Sequence, residues 1–120
     1  MDITPKYIKM CNCSEIQDII PRVIDDDGKK YIDGTVHVLK YHIGLGKLIW
    51  LPRQDQLQEM IGTGVFLVLE AFNQFVFHEY GPYCVKTFHS REQLWLAFVM
   101  KEKFNKVWDD KKEEWTEDNQ

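Results

Sequence analysis

The chain has 120 residues, 44% of them apolar and 28% charged, with a formal net charge of −4. That size fits one domain, able to bury a core without metal or disulfide staples. Residues 109–120 hold six acids and two lysines, while residues 1–108 hold 13 charges of each sign, so the body is balanced and the end is acidic. Such a balance argues against a broad basic groove for nucleic acid and leaves only a local basic face.

Three cysteines, Cys11, Cys13 and Cys84, fit a reducing compartment better than a disulfide framework. The opening "MDITPKYIKM" lacks the apolar core of a signal peptide. The longest apolar runs, 64–69 and 94–100, are far shorter than a bilayer span. A cytoplasmic protein that does not enter the membrane is therefore expected.

Thr4 and Pro5 suit a helix start, as N-cap and first helical residue. Ile8, Cys11, Ile16 and Ile19 then recur near helical spacing, which predicts a helix over 5–20, closed by Pro21. The next thirty residues are rich in β-branched and aromatic side chains. They are punctuated by Asp27-Gly28, Asp33-Gly34 and the pair Gly44 and Gly46. Asp-Gly between such runs is a hairpin signal, so an antiparallel meander of about three strands is expected, ending at Trp50-Leu51.

From Pro52 the apolar positions Leu57, Met60, Ile61, Val65, Val68, Leu69, Phe72, Phe75 and Val76 follow a helical period. Gly62-Thr63-Gly64 divides that helix in two. A rival reading makes 65–69 and 75–77 strands. Residues 81–90, "GPYCVKTFHS", read as a loop ending in a capping box at Ser90. The helix it opens is apolar on every side over 94–100, and its stripe continues through Phe104, Val107 and Trp108. The whole is an α+β fold: an N-terminal helix, a small antiparallel β-meander, then two or three C-terminal helices packed on the sheet. Residues 1–108 form the domain, and 109–120 are an acidic, disordered tail.

Chemistry is less legible. Cys11 and Cys13 are two apart on the expected helix and diverge by about 200°, so they do not share a metal, and no second ligand pair follows. His37 and His42 lie on opposite strand faces. His78, Cys84 and His89 flank or occupy the 81–90 loop and invite a cysteine-nucleophile reading, but no base, orienting group or oxyanion donors can be assigned to it. Arg53, Asp55 and Glu59 read as a solvated helix start. Gly44 and Gly46 lead into a strand, so they make a hairpin turn rather than a phosphate cradle. No cofactor is expected. Tyr80, Tyr83, Lys86, Phe88 and Arg91 interleave aromatics with cations in the loop and are the candidate partner-binding residues; Trp115 is a further aromatic beyond the core. Lys86, Arg91, Lys101, Lys103 and Lys106 are the alternative, a nucleic-acid face.

The segments "IWLPRQDQLQEM" and "SREQLWLAFVMKEKFNKVWDDKKEEW" resemble a family of small accessory proteins of tailed phages and prophages of Firmicutes and related bacteria. The resemblance covers residues 49–61 and 90–115, extends loosely to "PKYIKMCNCSEIQ", and is poor over 62–89. The family has no assigned activity, cofactor or catalytic residue, so the resemblance implies no site. It implies an accessory role in the host cytoplasm. With the missing catalytic constellation and the aromatic loop, the expectation is a non-enzymatic protein that binds a host or phage protein, in host takeover or evasion of defence, with a homodimer compatible with that reading.

Overall fold

The computed structural model describes residues 2–19, 22–24, 30–32, 38–41, 47–62 and 64–118. The fold is α+β. Thr4 starts α1 (Pro5–Cys11): its hydroxyl accepts the Tyr7 N–H at 3.3 Å, with Pro5 in the first turn. The single helix expected over 5–20 is instead two. Asn12 closes back on the Ile8 carbonyl at 3.1 Å, Cys13 is extended, and α2 (Ser14–Gln17) begins anew. The break lets Gln17 act as a clamp. Its Nε2 donates to the Cys11 and Trp50 carbonyls at 2.8 and 3.0 Å, and its Oε1 accepts the Trp50 N–H at 2.9 Å.

Strands β1 (Arg22–Ile24) and β2 (Lys30–Ile32) pair antiparallel, with Val23 opposite Tyr31. Strands β3 (Val38–Tyr41) and β4 (Lys47–Trp50) pair likewise, with Leu39 opposite Ile49. Among the described residues these are two separate two-stranded ladders rather than one meander. His37, His42 and the turns at 27–28, 33–34 and 44–46 lie outside the described residues. Beyond β4, Tyr7 fixes the chain by donating its hydroxyl to the Pro52 carbonyl at 2.7 Å.

Helix α3 (Gln54–Ile61) opens with the Arg53 N–H on Gln56 Oε1 at 2.9 Å. It ends at Gly62, whose φ of 73° lies in the left-handed region that glycine enters without strain. Helix α4 (Val65–Asn73) continues into a π-helical turn, Gln74–Glu79, so the strand reading of 65–69 and 75–77 does not hold and the expected division at 62–64 does. The loop expected over 81–90 is mostly α5 (Gly81–Thr87), since Pro82 is well placed in a first helical turn.

Helix α6 (Arg91–Phe104) runs through the centre. Ser90 accepts the Gln93 N–H at 3.1 Å, and Gln93 reaches back to the His89 N–H at 3.0 Å. Trp95 to Met100 are buried without interruption, each large apolar side chain among them contributing roughly 1.5–3 kcal/mol. Around α6 lie Tyr7 and Met10 of α1, Ile49 and Trp50 of β4, Leu57 of α3, and Phe75 of the π turn.

Two expectations fail at the C-terminus. The helix stops at Asn105, which takes a left-handed φ of 53°, instead of carrying Val107 and Trp108. The segment expected as a disordered tail turns back as a hairpin, β5 (Lys106–Asp109) against β6 (Glu114–Glu117), with Trp108 opposite Trp115. The two indoles meet edge to face at 5.1 Å, and Trp115 Nε1 donates to the Met10 carbonyl at 2.9 Å. Residues 109–118 therefore belong to the domain. Among the described residues, no single helix is long and apolar enough to cross a membrane.

Candidate interaction surface

The five residues singled out from the sequence do not form one outward face. Tyr80 is half-buried and donates its hydroxyl to the Asp118 carboxylate; burial and that carboxylate push the phenol up to about 12. Tyr83 donates to the Trp108 carbonyl at 2.7 Å and accepts the Trp108 N–H at 2.8 Å. Phe88 is buried, edge-on to Tyr83 at 5.3 Å, with the Lys6 ammonium 5.6 Å from its ring centre. These aromatics fasten α5 and the hairpin to the body. Lys86 and Arg91 remain exposed.

The rival sets fare as follows. Cys84 is buried, and burial pushes its thiol up to about 11, the opposite of what an attacking thiolate needs. His78 and His89 are exposed. Of the basic set, Lys101 pairs with Asp118 at 3.1 Å, Lys103 donates to the Met60 carbonyl at 3.0 Å, and Lys106 pairs with Glu15 at 2.5 Å. Three of its five cations are thus tied to this chain's own acceptors. Cys11 is buried and its thiol is pushed well up by that burial, while burial holds Cys13 at about 11. Among the described residues, no three His, Cys, Asp or Glu side chains come together as a metal site.

A cavity of about 420 Å³ lies at the start of α6, lined by Asp2, Thr4, His89, Ser90, Glu92 and Gln93. It holds a serine, a histidine and an aspartate, but not in a catalytic relay. Ser90 Oγ donates to Asp2 and accepts the Gln93 N–H, so it serves as the helix cap. Asp2 also accepts from Thr4 N and Gln93 Nε2 at 2.8 and 2.9 Å. The cluster ties the N-terminal segment to α6.

Among the described residues, the exposed apolar side chains cluster on α4 and its π turn, with Ile3, Ile19 and Val85 exposed elsewhere. Helical spacing turns Val68 and Phe72 inward, and the Phe72 ring stacks on Trp95 at 3.8 Å with planes 2° apart. The same spacing leaves Phe66, Leu67 and Leu69 at 88%, 64% and 41% exposure, and Phe77 of the π turn at 72%. One flank of α4 borders a groove of about 300 Å³ against α3 and α6. Leu69, Phe72 and Leu94 form its apolar walls, with Trp95 beneath. Gln54, Gln58, Asn73 and Arg91 ring it with amide and guanidinium groups.

Arg91 is the one candidate from the sequence that lies here. Leu69 and Phe72 read as core, because apolar periodicity alone does not say which side of a short helix is covered. Gln54 and Gln58 read only as polar helix formers. A search of protein families, curated proteins and solved structures finds no match to the chain.

Proposed function

We propose that the chain is a phage or prophage accessory protein that acts in the host cytoplasm without catalysis, by docking a host or phage protein in the groove between α3, α4 and α6. The observation that carries this reading is the groove's construction. Apolar walls from Leu69, Phe72 and Leu94 sit inside a ring of amides with Arg91 at the rim. Protein-binding hot spots have this form: an apolar pocket for an anchoring side chain, bordered by groups that hydrogen-bond a partner's backbone. The phage assignment rests on the resemblance of 49–61 and 90–115, the segments that supply the α3 and α6 walls. The 62–89 segment supplies the α4 wall.

Nucleic-acid binding is the weaker reading, because Lys101, Lys103 and Lys106 already face carboxylates or a carbonyl. The test is affinity capture with the tagged chain from host lysate, with and without nuclease. One host or phage protein is expected to be retained after nuclease and lost with Leu69→Asp. Retention that vanishes with nuclease would favour the nucleic-acid reading instead.

A further inference from the structure

The outward side of α4 and its π turn carries a palindrome of spacing. Phe66, Glu70, Asn73 and Phe77 are all exposed and follow one another at intervals of four, three and four. On a helix those intervals keep residues on one stripe. Read in either direction, the stripe runs Phe, polar, polar, Phe.

We infer that this stripe pairs antiparallel with the same stripe of a second copy, about a twofold axis between Glu70 and Asn73. A twofold contact requires one surface to complement itself. In this register Phe66 lies against Phe77 of the second copy, and Glu70 lies against its Asn73 amide. Glu70 is the stripe's sole formal charge; its two copies are offset by about 4.5 Å along the helix axis, and each lies against an Asn73 amide.

Area sets the strength. With the exposures given above, the two phenylalanines, Leu67 and Leu69 offer about 500 Å² per copy. Two copies would bury at most about 1,000 Å², the lower bound for a specific interface and the range of a weak, concentration-dependent dimer. The pairing goes beyond the groove reading: it shares Leu69 and Asn73 with the groove, while Phe66 and Phe77 lie outside the groove and Arg91 lies in it and off the stripe.

The test is sedimentation velocity of the full chain from about 1 to 300 µM, a range suited to an interface of that size. A monomer–dimer equilibrium is expected. Phe66→Glu and Phe77→Glu should each weaken it at least about tenfold, and Arg91→Glu should leave it unchanged. Circular dichroism would confirm that the glutamate variants stay folded. Mixed Phe66→Cys and Phe77→Cys chains should oxidise to a disulfide between positions 66 and 77, mapped by mass spectrometry. A monomer throughout the range would overturn the pairing, including a monomer that co-floats with lipid vesicles. So would a dimer indifferent to both glutamate variants, or a disulfide joining 66 to 66.

Discussion

The C-terminal hairpin and α4 have opposite compositions and opposite places in the fold. Residues 109–118 hold six acids, yet they are fastened to the body. Helix α4 is among the most apolar stretches of the chain, yet Phe66 and Leu67 face outward. Average polarity therefore did not decide which segment was held. A few specific anchors did. Asp110 pairs with Lys6 at 3.0 Å, Glu113 with Lys9 at 2.6 Å, and Asp118 with Lys101. Pairs as exposed as the first two contribute only about 0–1 kcal/mol each. The indoles matter more: Trp108 is buried, and Trp115 hydrogen-bonds to α1. Helix α4, by contrast, is held along one side by Val68 and Phe72, while Phe66 and Leu67 stand exposed on the other.

Changes on either side of this comparison should differ greatly in effect. The largest is expected for Trp108→Ala, which leaves a cavity beneath the hairpin and should cost about 3–5 kcal/mol in denaturant unfolding. A loss under about 1 kcal/mol would mean the hairpin is not part of the cooperative unit.

Asp2→Asn comes next. Burial acts to raise the Asp2 carboxyl, but hydrogen bonds from Ser90, Thr4 and Gln93 together outweigh it and hold the group below its usual range. A depressed folded value adds stability above the unfolded value of about 3.9, and that stability is lost as pH falls through the folded value. The variant should lose about 1–3 kcal/mol at neutral pH. It should also lose part of the decline in stability that wild type shows below about pH 4, as acid titration of the unfolding midpoint would reveal.

Tyr83→Phe removes a hydroxyl that both donates to and accepts from Trp108, and should cost about 1–2 kcal/mol by the same unfolding assay. Phe66→Ser should change monomer stability by no more than about 0.5 kcal/mol, measured at low micromolar concentration.

What the sequence revealed follows the same division between pattern and anchor. The burial of α6 was legible because 94–100 is apolar without a break, and few other environments accept such a run. The division at 62–64 was legible because glycine is the residue that enters the left-handed region without strain. The stop at Asn105 was not, since Phe104, Val107 and Trp108 stay in helical phase past it. The hairpin was missed for the same reason, and because its holding contacts join residues about a hundred positions apart, such as Trp115 to Met10. Of the candidate site, Arg91 was legible as a cation beside the loop. Leu69, Phe72 and Asn73 were not, because their role depends on which side of α4 its neighbours cover.

The most direct measurement compares both regions in one capture experiment. Wild type, a groove variant (Leu69→Asp with Arg91→Glu) and a hairpin variant (Glu114→Lys with Glu117→Lys) would be used as bait in nuclease-treated host lysate. The account predicts that the protein retained by wild type is lost with the groove variant and kept with the hairpin variant. Retention by the groove variant together with loss by the hairpin variant would contradict it and move the partner site to the acidic hairpin.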